Sequence, residues 1–161
     1  MITHDDLLRT VAEERKPTLI STGMSTYEQI DAAVAIFRQN ECPFVLMHCV
    51  ATYPALEEEL NLQMIHRLRD RYECPIGYSG HEASVSPSVI AAAMGAVAIE
   101  RHITLDRAMY GSDQAASLEK PGLEAMIAQI SKLPIVLGNG IKLISDRETK
   151  NAAKLRYWSA V

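Results

Sequence analysis

The chain has 161 residues, 48% hydrophobic and 22% charged, with a formal net charge of -4. That is an ordinary globular composition with enough apolar content for one domain, and its mild acidity offers no electrostatic footprint for nucleic acid or an anionic membrane. No apolar run approaches the roughly 18–20 residues of a membrane span, "MITHDDLLRT" is too polar for a secretory signal, and three cysteines without zinc-type spacing read as reduced thiols of a cytoplasmic protein.

The rhythm that follows is strand, loop, helix, repeated. "PTLIST" (17–22) is a short β-rich run ending at Gly23. Ser25 and Glu28 then have capping-box spacing, and Ile30, Ala33, Val34 and Phe37 recur at helical intervals to about Asn40. "PFVLMHCV" (43–50) is nearly continuous in apolar residues, as suits a strand buried on both faces of a parallel sheet. Leu62, Ile65, Leu68 and Tyr72 mark a second helix, and "PIGYS" (75–79) is a third strand. Cys42 and Cys74 each precede a proline at a strand start and read as small buried hydrophobes. Ser86 caps and Pro87 starts a third helix through Val89, Ile90, Ala93 and Met94, closed by Gly95. "AVAIERHITL" (96–105) is a fourth strand with a long loop after it, and Pro121 opens a helix with Leu123, Met126, Ile127 and Ile130. Beyond Leu137 the tail is loop-like, with weak helical signal around 146–156. Four successive βα units predict parallel strands joined by right-handed crossovers. The fold class is α/β: about half of a (β/α)8 barrel, or a small open α/β domain.

In such folds ligand groups gather at the C-terminal ends of the strands. His48, His81 and His102 fall there, whereas His4 and His66 do not. Alternation puts His48 on one face with Leu46 and Val50, and puts Glu100 and His102 opposite Arg101. Singly, each histidine reads as a satisfied core or loop residue; three at corresponding strand ends, with Glu100 among them, read as a polar site. Two imidazoles with oxygen ligands suit Mn, Fe or Zn. In "IGYSGHE" (76–82) the small residues leave room for a ligand or a close backbone beside His81. Other chemistries fail on spacing. Glu82 has no zincin-type second histidine, "LGNG" (137–140) is a turn, and Cys49 lies on the face opposite His48, against a Cys/His nucleophile pair. The lysines, at 16, 120, 132, 142, 150 and 154, lie outside the strand interiors, against a Schiff-base aldolase.

The motifs "STGM" (21–24), "HCVATYP" (48–54), "NL" (61–62), "IGYSGHE" (76–82), "GAVAIERHITLD" (95–106), "GSDQAASLE" (111–119) and "LGNGIK" (137–142) stand in the order found in sialic acid synthases, which the chain resembles over about residues 17–142. "SGHE" and "ERHITLD" are closer to the branch with animal N-acetylneuraminate synthases than to the branch reading "SDHT". The resemblance implies a catalytic (β/α)8 barrel of a cytoplasmic transferase in sialic acid biosynthesis. Its partners would be phosphoenolpyruvate and N-acetylmannosamine or a related N-acylated amino sugar, or the 6-phosphate, with phosphate released. It further implies a bound divalent cation, manganese before magnesium or cobalt, ligated by His48 and His81. Tyr53, Ser79, Glu100 and His102 would line the sugar side, and the glycines of "IGYSGHE" would leave space for sugar and metal.

The departures from the family bear on activity. Residues 1–161 would be a partial barrel domain, lacking the first four strands with the catalytic glutamate and the lysines that hold phosphoenolpyruvate, and lacking the antifreeze-like domain. No catalytic residue is therefore assigned, and the chain by itself is expected to be inactive. Arg101 faces the wrong way to hold phosphate, "HCV" replaces "HCT", and the ending "KLRYWSAV" departs from the expected basic-Ser ending. The rival readings are a non-catalytic remnant or interaction module, and another phosphoenolpyruvate-condensing synthase for a 3-deoxy sugar acid. Open edges at "PTLIST" and "AVAIERHITL", with a concave face exposing Leu46 and Val50, predict a homodimer.

Overall fold

The apolar runs of the sequence become one parallel sheet. In the computed structural model, which describes residues 1–156 and Trp158, β1 (Thr18–Ser21), β2 (Phe44–Cys49), β3 (Ile76–Gly80) and β4 (Ile99–Arg101) pair in that order. All three pairings are parallel, giving an α/β half-barrel. Residues 1–131 form one compact unit and 132–161 another. The first holds α1 (Asp5–Glu13), α2 (Tyr27–Gln39), α3 (Met64–Tyr72), α4 (Ser86–Ala93) and the start of α5 (Lys120–Leu137). The second holds the end of α5, a turn with Gly138 and Gly140 at positive φ, and α6 (Asp146–Leu155), which Ser145 and Glu148 cap reciprocally. Within "KLRYWSAV", Tyr157 and Ser159–Val161 lie outside the described residues.

Local signals were shifted in three places. The capping box opening α2 is Thr26 with Gln29, the same spacing one residue on; Ser25 instead donates to the Gly23 carbonyl at 3.0 Å. The unpredicted α1 starts at His4, whose Nδ1 accepts from Leu7 N–H at 3.2 Å; histidine is not among the usual caps. The fourth strand is Ile99–Arg101, not 96–105. β3 ends at Gly80, so the chain beyond Arg101 has no strand to pair with and bonds to Leu118: its N–H donates to the His102 carbonyl at 2.8 Å, and Thr104 N–H donates to its carbonyl at 2.9 Å.

Alternation sorts the sheet into two faces. Ile20, Leu46, Ile76 and Tyr78 form a continuous core with Ile30, Val34 and Phe37 of α2 and Ile65, Leu68 and Tyr72 of α3. Leu46 is thus wholly buried against helices, not exposed on the concave face as expected, and Val50 is half-buried. Gly77 faces the other way, and a Cβ there would come within 2.3 Å of Met47 Sδ and 3.0 Å of the Ala98 carbonyl. Its smallness accommodates Met47 rather than a ligand, which corrects the reading of the glycines as room for sugar and metal.

His48 follows Leu46 onto the helix side. It is buried at 7% exposure, and its Nε2 lies 2.7 Å from the Leu60 carbonyl oxygen. A carbonyl only accepts, so Nε2 carries the proton. Burial pushes the imidazole below its ordinary pKa, with the hydrogen bond pulling upward less strongly. Neutral His48 therefore contributes its full stability above the unfolded-chain pKa of about 6.5 and loses it as pH falls toward the depressed folded value. Thermal unfolding of the wild type should weaken below about pH 6.5, and His48→Gln should flatten that limb while costing about 1–2 kcal/mol at pH 7.5. An unchanged acid limb in the variant would refute the assignment.

Candidate functional site

The inner face becomes polar as the strands end. Register aligns Cys49 with Ser79 and Ser79 with Glu100, and Ser79 Oγ donates to Glu100 Oε1 at 2.7 Å. One alternation further on, His81 and His102 bring their rings to a 5.3 Å centroid separation at 68°. Tyr53, in the connection after β2, packs against both at an angle, its ring 4.4 Å from His81 at 51° and 5.5 Å from His102 at 69°. Together with Cys49, these residues line one pocket of about 450 Å³ that reaches to α1.

Hydrogen bonds set the state of the His81 imidazole. His81 Nδ1 lies 2.8 Å from the Val50 carbonyl oxygen and so carries the proton. Its Nε2 is left as a lone pair, accepting from the Tyr53 hydroxyl at 3.2 Å. A ring nitrogen fixed on a backbone carbonyl, with the other nitrogen basic and aimed into a cavity, is the arrangement metal-ligating histidines use. His102 Nδ1 lies 3.7 Å from Asp113 Oδ2, within ion-pair range but beyond a hydrogen bond. The Tyr53 phenol is pushed up, first by burial and then by Cys49, Asp113 and Glu100 nearby.

Of the expected residues, the structure brings together Tyr53, Ser79, His81, Glu100 and His102 and leaves His48 apart. With its Nε2–H committed to Leu60 on the helix side and outside the pocket lining, His48 does not join His81 in a ligand pair. The two imidazoles that meet are His81 and His102. Among the described residues no group of three or more His, Cys, Asp or Glu side chains is arranged to hold a metal, so an ion held here would have two protein nitrogens and would need its other ligands from water or substrate oxygen. Among the described residues, no lysine or arginine side chain lines the pocket. Arg101 indeed points away: its Nη1 lies 3.0 Å from Glu82 Oε1, with both side chains essentially inaccessible. Burial lowers the Arg101 pKa, Glu82 and Tyr78 opposing, and burial beside Glu82 raises that of the Tyr78 phenol. Sequence reasoning missed Asp113 and the Glu82–Arg101 pair. The pair was accessible to it, because Glu82 and Arg101 each neighbour a site histidine and alternation sends them to the opposite side.

Comparison with known proteins follows this geometry. The NeuB family matches over residues 1–142. The chain is 37% identical over 153 residues to an N,N'-diacetyllegionaminic acid synthase of Campylobacter jejuni, covering 93% of this chain and 46% of that protein. It is 35% identical over 149 residues to the human N-acetylneuraminate-9-phosphate synthase, covering 92% and 42% respectively. The chain therefore spans less than half the length of these relatives. The crystal structure of an N-acetylneuraminic acid synthetase from Leptospira borgpetersenii superposes with a TM-score of 0.84 at 33% identity, over 97% of this chain and 56% of the other. A truncated 3-deoxy-D-arabino-heptulosonate 7-phosphate synthase of Thermotoga maritima, 20% identical with a TM-score of 0.72, shares the fold alone. A family match along most of the sequence, and a common backbone along nearly all of it, lead to one conclusion: the chain belongs to the NeuB family.

Proposed function

We propose that the chain forms the metal- and sugar-binding half of a (β/α)8 barrel that condenses phosphoenolpyruvate with an N-acylated amino sugar or its 6-phosphate. The observation that carries this reading is the His81–His102 pair set above the Ser79–Glu100 row in one pocket, in a chain whose relatives are named as synthases of such acids. In the reaction, the methylene carbon of phosphoenolpyruvate bonds to the sugar's aldehyde carbon, water adds to the resulting cation, and inorganic phosphate leaves. The donor set suits a divalent ion with oxygen co-ligands, manganese first, magnesium or cobalt as alternatives. When bound, such an ion supplies Lewis acidity toward a carbonyl oxygen.

His81 Nε2 and an imidazole nitrogen of His102 hold the ion, replacing the sequence-based pairing of His48 with His81. Glu100, held by Ser79, accepts from sugar hydroxyls, and the Tyr53 ring walls the pocket over both imidazoles. Cations for the phosphate come from elsewhere, consistent with a pocket lined by no lysine or arginine side chain. Strand edges at β1 and β4 give a route to pairing with a further chain or segment.

Manganese titration, read by the electron paramagnetic resonance of the free ion, tests the ligand set. His81→Ala and His102→Ala should each weaken binding by about tenfold or more, while His48→Gln and His66→Ala should leave it unchanged. Equal affinity in all four variants would overturn the reading. Tyr53→Phe bears on the lone pair: removing the hydroxyl that occupies His81 Nε2 should leave affinity equal or higher, and a loss would make the phenol itself a ligand. For the reaction, the chain is fused behind the preceding half of the Campylobacter relative's barrel. Phosphate release requiring phosphoenolpyruvate, the sugar and manganese together is expected; a folded fusion that binds manganese yet releases none would refute the condensation.

A further inference from the structure

We infer that the buried Glu82–Arg101 ion pair is a positioning device that holds His81 and His102 at the separation one metal ion requires. This rests on the metal reading above and adds residues that touch neither metal nor substrate. Glu82 follows His81, and Arg101 precedes His102. The alternation that sends the imidazoles into the pocket sends their neighbours behind the sheet, where Arg101 Nη1 meets Glu82 Oε1 at 3.0 Å with side-chain exposures of 1% and 0%. Any slip of one strand end against the other would therefore break the pair and separate the rings together.

The contacts around the pair brace it from several elements. Arg101 Nη1 also donates to Ser88 Oγ at 3.0 Å and to the Ser84 carbonyl at 2.9 Å, and Nη2 donates to the Glu82 carbonyl. Tyr78 of β3 donates to Glu82 Oε2 at 2.8 Å, and Ser88 of α4 reaches Oε1 at 3.5 Å. Gly80, paired with Arg101 across the sheet, makes the space: a Cβ there would meet both Glu82 oxygens and Arg101 Cδ at 2.8–2.9 Å. The backbone behind Glu82 is pinned too, since Ala55 N–H donates to the His81 carbonyl at 3.0 Å, close to Tyr53.

Stability alone does not account for such a pair. Desolvating two charges often costs more than their attraction returns, and well-packed apolar replacements are commonly neutral or better. Here Arg101 Nε also lacks a hydrogen-bond partner among the described residues, a further cost. What a buried, braced ion pair does supply is fixed geometry, and outer-shell partners that fix ligand orientation typically govern metal affinity about tenfold to hundredfold.

Cobalt(II) titration of the full chain, followed by the visible d–d absorption, separates positioning from packing. Glu82→Gln, at a temperature well below its unfolding midpoint, should weaken cobalt binding by about tenfold or more and alter the d–d band, with the far-ultraviolet circular dichroism unchanged. Ser88→Ala and Tyr78→Phe, which each remove one brace on Glu82, should give smaller losses in the same direction. A Glu82→Gln protein of lower thermal stability but wild-type affinity and spectrum would overturn the proposal. Should Glu82→Gln fail to fold, wild-type affinity in both brace variants overturns it instead. His81→Ala and His102→Ala report on the metal reading separately: their loss of binding alongside an unaffected Glu82→Gln sinks the positioning role alone. Wild-type protein that binds no cobalt up to about 1 mM sinks the metal reading and this proposal together.

Discussion

The constraint on which the site depends is the two-residue period of a strand whose two faces do different work. In a sheet packed by helices on one side and facing a pocket on the other, adjacent residues cannot share a task. At the end of β3, Ser79 and His81 go to the pocket while Gly80 and Glu82 go behind; at the end of β4, Glu100 and His102 go to the pocket while Arg101 goes behind. At the end of β2 the same rule gives the pocket Cys49 and gives the helices His48. Polar chemistry in a dipeptide such as His81-Glu82 is thus divided between two faces, His81 lining the pocket and Glu82 sealed in the core.

Sealing polar groups is costly unless they are matched, and the outer face meets that demand in two ways. His48 is kept neutral and gives its single N–H to Leu60, so burial needs only one partner. Glu82 and Arg101 are kept together, with Tyr78 and Ser88 supplying the donors that a lone carboxylate would lack. The inner face is handled differently. Glu100 is more exposed, held by the single donor Ser79, and leaves acceptor capacity turned toward the pocket. A buried pair whose hydrogen bonds are turned inward is scaffold; a half-satisfied carboxylate beside two imidazoles is available for a ligand.

Much of the fold was legible because it rests on local signals. Short β-rich segments, nearly continuous in apolar residues only at 43–50, marked all four strands, and 3.6-residue spacing marked α2, α3 and α4. The tail's weak helical signal became α6, and "LGNG" became a turn with Gly138 and Gly140 at positive φ. What failed required a partner to be known. The fourth strand was drawn too long because "HITL" has strand composition, yet only the end of β3 decides where pairing stops. For the site, alternation correctly separated His48 from Cys49 and Arg101 from His102, but alternation carries no sign: it does not say which face the helices cover. Leu46, expected on the concave face, and His48, set at the metal by the resemblance, share a parity, and both turn toward the helices. Ser79, Glu100 and His102, which the resemblance set on the sugar side, have the opposite parity and line the pocket with Tyr53.

The electrostatics of the pocket give the last step. Its wall offers two imidazoles, the Glu100 carboxylate, a phenol and a serine hydroxyl, with Asp113 just behind His102 and Arg101 neutralised on the far side. Such a wall attracts a cation and sugar hydroxyls, and it repels a phosphate-bearing reactant at short range. The proposed condensation, which needs both a polarised aldehyde and a bound phosphate ester, would therefore divide its charges in space, with the cations supplied outside this wall. On the reading proposed above, a divalent ion would reconcile the halves. His81 and His102, as imidazole ligands without negative charge, would leave its positive charge for the reactants. Two imidazole ligands would then suit the proposed chemistry, because an added carboxylate ligand would offset charge that the substrates are meant to share.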